Sequence, residues 1–256
     1  MGAPDYESHR VASDYLLFHY GSAADQLPWP DGPVDALEFP ARCAALVLRH
    51  ASPGLRARAL DLGCATGRAT FELARGFDSV TGVDFSKTLI DSANAMRVAG
   101  RLQVTRVDEG DVLTPVFVHV PADIDRGRVS FRRGDACSPD ASGAPYDAVL
   151  MANLICRVAD PAACLATLPD RVRPGGVLVI TTPCSWMEEF TPREKWIGGI
   201  TVDGRPVSTL DGLRARLSAD FDLVETTDLP FLIREHARKH QWSMAQASVW
   251  RRRVAV

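Results

Sequence analysis

Residues 59–68 read Ala-Leu-Asp-Leu-Gly-Cys-Ala-Thr-Gly-Arg, and residues 80–86 read Val-Thr-Gly-Val-Asp-Phe-Ser. The first stretch has the pattern of a short apolar strand that enters a glycine turn and opens a helix. The second has the pattern of an apolar strand that ends in an acid, Asp84. Glycines let the backbone approach a ligand closely, a helix N-terminus offers free N–H groups, and the acid suits two ribose hydroxyls. Together the two stretches predict a nucleotide-binding crevice.

Two common nucleotide motifs are missing from the glycine turn. It is not the Gly-x-Gly-x-x-Gly of dinucleotide sites, and it lacks the Gly-Lys-Ser/Thr ending of a phosphate loop. With Asp61 ahead of the first glycine, the turn resembles the first motif of the class I methyltransferases, which bind S-adenosylmethionine. The resemblance implies that Gly63, Cys64, Ala65 and Gly67 carry the methionine and ribose portion, with Asp61 near the amino group of the cofactor. Ala65 stands where the usual motif has a glycine, and a turn without ligand is the alternative.

Length and composition narrow the class of protein. The 256 residues suit a single domain, 1–256, and the net charge of −3 gives no general field to attract a nucleic acid. The sequence contains no apolar run of about 18 residues, so it predicts no membrane span. The N-terminus lacks the basic start of a secretory signal, so we expect a cytoplasmic protein. Six scattered cysteines form no Cys-x-x-Cys pair, which predicts free thiols and no metal site.

The order of predicted elements favours an α/β fold. Two helices, 8–20 and 34–50, form a predicted N-terminal cap (1–57) before a Rossmann-like core (58–256). Strands and helices then alternate, which predicts a mostly parallel sheet with helices on both faces. The predicted strands are 59–62, 79–84, 129–132, 147–152 and 177–182, and the predicted helices are 67–76, 86–99 and 161–172. The resemblance implies seven strands, with the last one antiparallel beside the fifth.

Three segments are additional to the alternating strands and helices. Residues 101–123 alternate β-branched and polar side chains around Asp108–Asp111, which predicts an inserted hairpin that serves as an edge extension, a dimer contact or a lid. Residues 183–204 form a long predicted loop with two tryptophans. Residues 230–242 join two predicted terminal strands. We expect 183–204 and 230–242 to close the substrate side of the crevice, because ligands of such sheets bind at the carboxyl ends of the strands.

Further cofactor candidates follow the strands. Phe85 and Ser86 come directly after Asp84. Residues 134–136, Gly-Asp-Ala, follow the third strand and resemble the motif that binds the adenine amino group, although an ordinary turn would also use Asp135. Asn153 follows the fourth strand, where class I enzymes present groups to the transferred methyl. The signature of enzymes that methylate adenine bases, Asn or Asp before Pro-Pro-Tyr or Phe, is missing there. The cofactor-binding candidates in this region are Asp84, Phe85, Ser86, Gly134, Asp135, Ala136 and Asn153.

A closer resemblance rests on stretches outside the cofactor motifs. The chain resembles the C-terminal methyltransferase domain of ovothiol synthase, a 5-thiohistidine (4-mercaptohistidine) N1-methyltransferase, in a stand-alone version. This implies methyl transfer from S-adenosylmethionine, with S-adenosylhomocysteine as product, and a separate iron-dependent sulfoxide synthase-type enzyme upstream. Sulfur and selenium both remain open as the substrate's chalcogen. The stretches that carry the resemblance are 6–8, 14–21, 61–65, 134–137, 188–194 and 230–239.

This chemistry suggests roles for the remaining candidates. A neutral imidazole nitrogen has a lone pair and titrates near pH 6.5, so the enzyme needs to position the ring more than to activate it. A zwitterionic amino acid also needs a cation and an anion. The predicted cations are Arg157, Arg193 and Arg234, and the predicted anions are Glu189 and Glu235. The predicted aromatic contacts are Tyr15, His19 and Tyr20, with core packing as the alternative. The predicted catalytic residues are Asn153, Tyr15 and His236, the last with a structural role as the alternative.

Two other functions remain open at this stage. The first is methylation of another small thiol or imidazole metabolite, including transfer to sulfur or selenium. The second is a non-catalytic subunit that binds S-adenosylmethionine for a separate synthase.

Overall fold

The computed structural model describes residues 6–138 and 145–254. The prediction about a secretory signal rests on residues 1–7, of which 1–5 lie outside the described residues. No helix of the described ranges is long and apolar enough to cross a bilayer.

The N-terminal region contains three helices, α1 (His9–Tyr20), α2 (Ala23–Gln26) and α3 (Phe39–His50). The Ser8 hydroxyl caps α1 by accepting from the Val11 amide at 3.2 Å. The single helix predicted over 34–50 is wrong, because Glu38 has a positive φ of 55° and separates a short 3₁₀ turn, Val34–Ala36, from α3. α3 packs its apolar side against the sheet and against the next helix of the chain.

A seven-stranded sheet forms the centre of the molecule and confirms the predicted fold class. Its strand order is β10-β11-β7-β6-β1-β2-β5, and β11 is antiparallel to both of its neighbours while the remaining pairs are parallel. The sheet strands are β1 (Arg58–Leu62), β2 (Ser79–Asp84), β5 (Val129–Arg133), β6 (Tyr146–Ala152), β7 (Val172–Thr182), β10 (Phe221–His236) and β11 (Lys239–Arg252).

Helices cover both faces of the sheet. Phe71 and Phe77 are fully buried on one face, and Trp250 and Leu213 are buried on the other. The predicted helix over 161–172 is in fact two short helices that meet at Thr167, because Pro169 lacks the amide hydrogen that a continuous helix would need. The core helices are α4 (Arg68–Leu73), α5 (Lys87–Ala99), α6 (Pro161–Ala166), α7 (Leu168–Arg171) and α8 (Thr209–Leu217).

Two of the three extra segments differ from their predictions. The hairpin is present as β3 (Arg101–Glu109) and β4 (Val112–His119). The segment 183–204 ends in a second small hairpin, β8 (Ile200–Val202) with β9 (Arg205–Val207). The segment 230–242 is no loop, because β10 and β11 continue through it as a paired ribbon in which Pro230 faces Met244 and Arg234 faces His240. We call residues 230–244 the terminal ribbon.

Candidate active site

The glycine turn between β1 and α4 takes the conformation that its sequence predicts. Gly63, Ala65 and Gly67 have φ values of +72°, +47° and +88°. A Cβ added at Gly67 would lie 2.4 Å from the Phe131 ring, so only glycine fits there. Ala65 keeps the left-handed backbone of the glycine that it replaces, at a cost of about 1 kcal/mol. The departure from the usual motif therefore leaves the shape of the turn unchanged. We call residues 63–67 the glycine loop.

Asp84 joins the end of β2 to the glycine loop. One carboxylate oxygen accepts from the Ala65 amide at 2.9 Å, and the other accepts from the Ser86 amide at 2.9 Å. Burial raises the pKa of Asp84 above its ordinary value. Ser86 caps α5 by accepting from the Leu89 amide at 3.1 Å. Phe85 is 68% exposed at the rim, so an aromatic surface stands beside the carboxylate.

Asp61 lies beneath the glycine loop and is fully buried. Its carboxylate accepts from the Thr70 hydroxyl at 2.6 Å. Burial raises the pKa of Asp61 to about 7. The Thr66 hydroxyl, in the loop itself, is also buried and has no hydrogen-bond partner within the part of the chain that the structure describes. The loop therefore holds one hydroxyl, that of Thr66, that a ligand could still satisfy.

His19 and Tyr20 fix α1 onto the glycine loop. The Tyr20 hydroxyl donates to the Thr66 carbonyl at 2.7 Å, and His19 Nδ1 accepts from the Arg68 amide at 3.4 Å. Burial lowers the pKa of His19 to about 3, so its ring is neutral. These bonds favour the packing alternative for His19 and Tyr20 over the predicted contact with substrate.

Three aromatic rings meet beside this loop. Tyr15 of α1 contacts Tyr6 with ring centroids 6.0 Å apart, and Tyr6 contacts Phe190 at 6.2 Å. The Arg157 guanidinium lies 5.0 Å from the centroid of Phe190. We call Tyr6, Tyr15, Phe190 and Arg157 the aromatic cluster. Sequence reasoning assigned no site role to Tyr6 or Phe190, although both stand in stretches that carry the family resemblance.

The N-terminal segment holds the aromatic cluster over the start of α5. The Ser86 hydroxyl donates to the Tyr6 carbonyl at 2.8 Å. The Glu7 carboxylate accepts from the Lys87 and Thr88 amides at 3.0 and 3.2 Å, which are free donors at a helix N-terminus. The segment therefore lies across the edge of the crevice next to Asp84.

Asn153 and Arg157 follow the end of β6, as predicted. Asn153 has a φ of +53°, and its side-chain oxygen accepts from the Thr181 hydroxyl at 3.0 Å. Arg157 donates through Nη1 to the Ser185 carbonyl at 2.7 Å and the Cys156 carbonyl at 2.9 Å. Within residues 6–138 and 145–254, Arg157 forms no ion pair, so its charge faces no carboxylate of the described chain.

The Gly-Asp-Ala motif after β5 lies next to the end of β2. The Gly134 amide donates to the Asp84 carbonyl at 2.9 Å. The Asp135 carboxylate accepts from the Cys137 amide at 2.8 Å, and the Ala136 carbonyl accepts from Arg171 Nη1 at 3.0 Å. The motif therefore borders the crevice, and its adenine-binding role remains a prediction, because the Asp135 bond is also that of an ordinary turn.

The predicted substrate residues of the terminal ribbon make other contacts. Arg234 is buried and donates to the Asp108 carboxylate of the hairpin at 2.8 Å and to the Val107 carbonyl at 2.9 Å. Glu235 pairs with Lys239 at 2.7 Å. His236 Nδ1 accepts from the amide of Arg238, also in the ribbon. These bonds hold the ribbon together and attach it to the hairpin.

Two further predicted residues lie in the segment between β7 and β8. Glu189 and Arg193 are both exposed. The Arg193 guanidinium lies 4.6 Å from the centroid of Trp196, whose indole N–H donates to the Thr191 carbonyl at 2.8 Å. Trp196 also stacks on Trp186 with centroids 6.1 Å apart. The stacked tryptophans anchor this segment, and Phe190 is the member of it that reaches the aromatic cluster.

The sequence of the chain is similar to those of known proteins. Residues 37–244 match the family described as "Methyltransferase domain". The chain is 26% identical over 206 residues to "Ubiquinone biosynthesis O-methyltransferase" from Dinoroseobacter shibae. The aligned region covers 77% of this chain and 71% of that protein.

Solved structures share the fold. The N-methyltransferase NodS from Bradyrhizobium japonicum in complex with S-adenosyl-L-homocysteine matches with a TM-score of 0.52 and 15% identity, over 94% of this chain and 98% of that one. The cyclase SpnF matches with a TM-score of 0.57 and 17% identity, over 100% and 99% of the two chains. Because a methyltransferase and a cyclase share this architecture, the fold alone does not define the reaction.

Proposed function

Because the chain belongs to the methyltransferase-domain family and is a S-adenosylmethionine-dependent methyltransferase, we propose that it methylates a ring nitrogen of 5-thiohistidine or of its selenium analogue, 5-selenohistidine. The proposal joins the family resemblance of the sequence to the contents of the crevice. A separate iron-dependent sulfoxide synthase-type enzyme would supply the substrate. Cofactor and substrate would meet between the glycine loop and the aromatic cluster.

The residues of the glycine loop fit S-adenosylmethionine. Asp84 stands at the end of β2, where a ribose would offer two hydroxyls. The unpartnered Thr66 hydroxyl is a buried group that a bound ligand would satisfy. The raised pKa of Asp61 is what a buried carboxyl shows without a cation, and the ammonium of the cofactor would favour its charged form. When bound, the cofactor supplies a methyl group on a sulfonium.

The observation that carries the proposal is that Arg157, in the aromatic cluster, pairs with no carboxylate of the described chain. Of the three arginines predicted to bind a substrate carboxylate, Arg234 is paired with Asp108 and Arg193 is exposed against Trp196. Arg157 lies over the Phe190 ring, which contacts Tyr6, and Tyr6 in turn contacts Tyr15 of α1. A guanidinium that pairs with no carboxylate of the described chain, over a Phe190 ring that contacts Tyr6, suits a small aromatic amino acid.

The mechanism that we propose depends on positioning. Arg157 would bind the carboxylate of the substrate, and Tyr15 with Phe190 would hold the imidazole plane. Asn153, fixed by its bond to Thr181, would border the nitrogen that accepts the methyl group. The ring nitrogen attacks the methyl group with its own lone pair as the bond from the methyl to the sulfonium breaks. The methylated imidazolium then loses its remaining N–H proton to the buffered solvent near neutral pH, so no strong base is required. This role for Asn153 and Tyr15 is positional, and His236 is not needed for it.

O-methylation of a different small molecule is a second candidate, because the curated relative above is named as an O-methyltransferase. The two candidates differ in the atom that receives the methyl group. A ring nitrogen needs no base, whereas a hydroxyl acceptor with a pKa near 10 benefits from one.

The test is a product assay with purified protein and S-adenosylmethionine. Histidine, 5-thiohistidine, 5-selenohistidine and a catechol are incubated separately, followed by mass spectrometry and by NMR to locate the methyl group. We expect N-methylation of the two chalcogen-bearing rings and little product from histidine, because its ring lacks the heavy atom that the pocket would contact. Methyl on sulfur, selenium or the catechol oxygen would overturn the proposal. Cofactor binding without any product would favour a non-catalytic subunit.

A further inference from the structure

Two cysteines approach each other where the turn after β5 packs on α6. Cys137 in the turn is partly exposed, and Cys164 in α6 is fully buried. The Cys164 thiol donates to the Ala136 carbonyl, beside Cys137, at 3.5 Å. The Asp160 carbonyl accepts from the Cys137 thiol at 3.8 Å and from the Cys164 amide at 3.0 Å. These reciprocal contacts place the two sulfurs next to each other.

The two thiols differ in reactivity. A hydrogen bond that the Cys164 thiol donates to the Cys137 sulfur lowers the pKa of Cys137 below its ordinary value. The same bond, together with burial, raises the pKa of Cys164. Because the thiolate is the nucleophile, Cys137 is the thiol that reacts first with an oxidant. An accessible thiol of lowered pKa beside a second thiol is the arrangement typical of cysteines that respond to oxidation.

The turn that carries Cys137 also carries the predicted adenine-binding residue. The Asp135 carboxylate accepts from the Cys137 amide at 2.8 Å, so the two residues are coupled directly. Arg171 of α7 is buried and holds the turn by donating to the Ala136 carbonyl at 3.0 Å and to the Ser138 carbonyl. A displacement of Cys137 toward α6 therefore shifts the carboxylate of Asp135 as well.

From this arrangement we propose that hydrogen peroxide oxidises Cys137 and Cys164 to a disulfide, and that this disulfide lowers the affinity for S-adenosylmethionine. The Cys137 thiolate attacks peroxide and becomes a sulfenic acid, while the released hydroxide takes up the thiol proton as water. The Cys164 sulfur then attacks the Cys137 sulfur, the S–S bond forms, and a second water leaves. Two thiols are thus oxidised and one peroxide is reduced.

The disulfide changes the position of the turn because its geometry is strict. The S–S bond is about 2.05 Å long, which is much shorter than the contact between two separate thiols. Cys164 is fixed in the core by α6, so Cys137 and its turn make most of the movement. The inference goes beyond the proposed function, since it concerns cofactor binding and holds for any methyl acceptor. Disulfides in reducing compartments are usually transient and regulatory, which suits this role.

The test maps the bond and measures cofactor affinity on the same samples. Reduced protein is treated with hydrogen peroxide, alkylated, and digested with trypsin and an aspartate-specific protease, because cleavage at Asp147 separates Cys137 from Cys156. We expect mass spectrometry to find a peptide pair linked through Cys137 and Cys164. In calorimetric titration we expect oxidation to weaken binding of S-adenosylmethionine about 5- to 50-fold, as for the loss of one or two hydrogen bonds. Dithiothreitol should restore the affinity.

Two variants separate this inference from general oxidative damage. Cys137→Ser removes the reactive thiol and should keep, after peroxide, the affinity of its own reduced form. Cys184→Ser removes an exposed thiol elsewhere and should respond to peroxide as the wild type does. Absence of the linked pair in the wild type, or unchanged affinity once the pair has formed, would overturn the inference, as would an equal loss of affinity in oxidised Cys137→Ser. The measurement needs no methyl acceptor, so its outcome is independent of the proposed function.

Discussion

The glycine-loop edge, by which we mean the glycine loop with Asp84, Ser86 and Arg157, carries charged residues, as the terminal ribbon does. The two regions bond these residues differently. At the glycine-loop edge, charged groups bond mainly to backbone, as Asp84 does to Ala65 and Ser86. In the ribbon and hairpin, charged groups bond to one another, in a chain that runs from Asp25 through Arg106 and Asp108 to Arg234. The difference teaches that a cluster of charges marks a binding site only where the protein leaves some of those charges unneutralised.

Elementary energetics explains why the two arrangements serve different purposes. Paired charges in a partly buried setting satisfy one another and leave little interaction energy for a ligand. A carboxylate held by amides keeps its charge and further lone pairs, and Arg157 faces no carboxylate of the described chain. The ribbon therefore fixes the position of the hairpin, and the glycine-loop edge retains the capacity to bind.

The largest effect that we predict is on cofactor affinity. Asp84→Ala removes the predicted ribose contacts and also leaves the Ala65 amide without its partner. We expect affinity for S-adenosylmethionine to fall by about 2–4 kcal/mol, measured by calorimetric titration. Asp91→Ala, at an exposed acid of α5 that pairs with Lys87, is the matched control and should stay within twofold. Unchanged affinity in Asp84→Ala would remove the glycine-loop edge as the cofactor site.

A second prediction concerns the pH dependence of folding. Burial raises the pKa of Asp61 from 3.8 to about 7, so between these values the folded state holds a proton that the unfolded chain has released. The contribution of Asp61 to the free energy of unfolding of the apoprotein is therefore most favourable below pH 4. It falls by roughly 2–4 kcal/mol as the pH rises to 7.

Denaturant unfolding at several pH values measures this effect. Asp61→Asn removes the titration and keeps an oxygen for the Thr70 hydroxyl. The free energy of unfolding of the wild type minus that of Asp61→Asn should decrease between pH 4 and 7 and stay constant above pH 7. A difference that is independent of pH would show that the carboxyl group ionises normally in the folded state.

The smallest effect belongs to the ribbon. Arg234→Met removes one partner of Asp108, which keeps its bonds to Arg106 and Thr114. We expect the free energy of unfolding to fall by about 1–2 kcal/mol, while cofactor affinity and kcat stay within twofold. Arg214→Met, at an exposed arginine of α8, should change stability by less than about 0.5 kcal/mol. A large rise in KM in Arg234→Met, with stability intact, would return Arg234 to the substrate site.

The sequence predicted the features that depend on local pattern. The glycine loop and the acid after β2 are defined by backbone requirements at single positions, and Gly63, Ala65 and Gly67 take the positive φ values that such a turn needs. The mostly parallel sheet followed from the alternation of strands and helices, and the antiparallel last strand followed from the family resemblance. These features need no knowledge of distant contacts.

The features that sequence analysis missed depend on distant contacts. The sequence predicts that 230–242 joins two strands, but β10 is an edge strand, where a proline such as Pro230 is tolerated, so the two strands continue through this segment. The neutralisation of Arg234 requires Asp108, which is 126 residues away along the chain. Tyr6 and Phe190 meet only because the N-terminal segment docks on α5. Pairing and docking of this kind leave no periodic signal in the sequence.

The most direct test of the account asks which arginine binds the carboxylate of the substrate. The wild type, Arg157→Ala and Arg234→Met are compared with 5-thiohistidine and with 5-thiohistamine, which lacks the carboxylate. We predict that Arg157→Ala lowers kcat/KM for 5-thiohistidine about 10- to 100-fold and removes the preference for it over 5-thiohistamine. Arg234→Met should keep the preference of the wild type. Loss of the preference in Arg234→Met, with the preference intact in Arg157→Ala, would contradict the account.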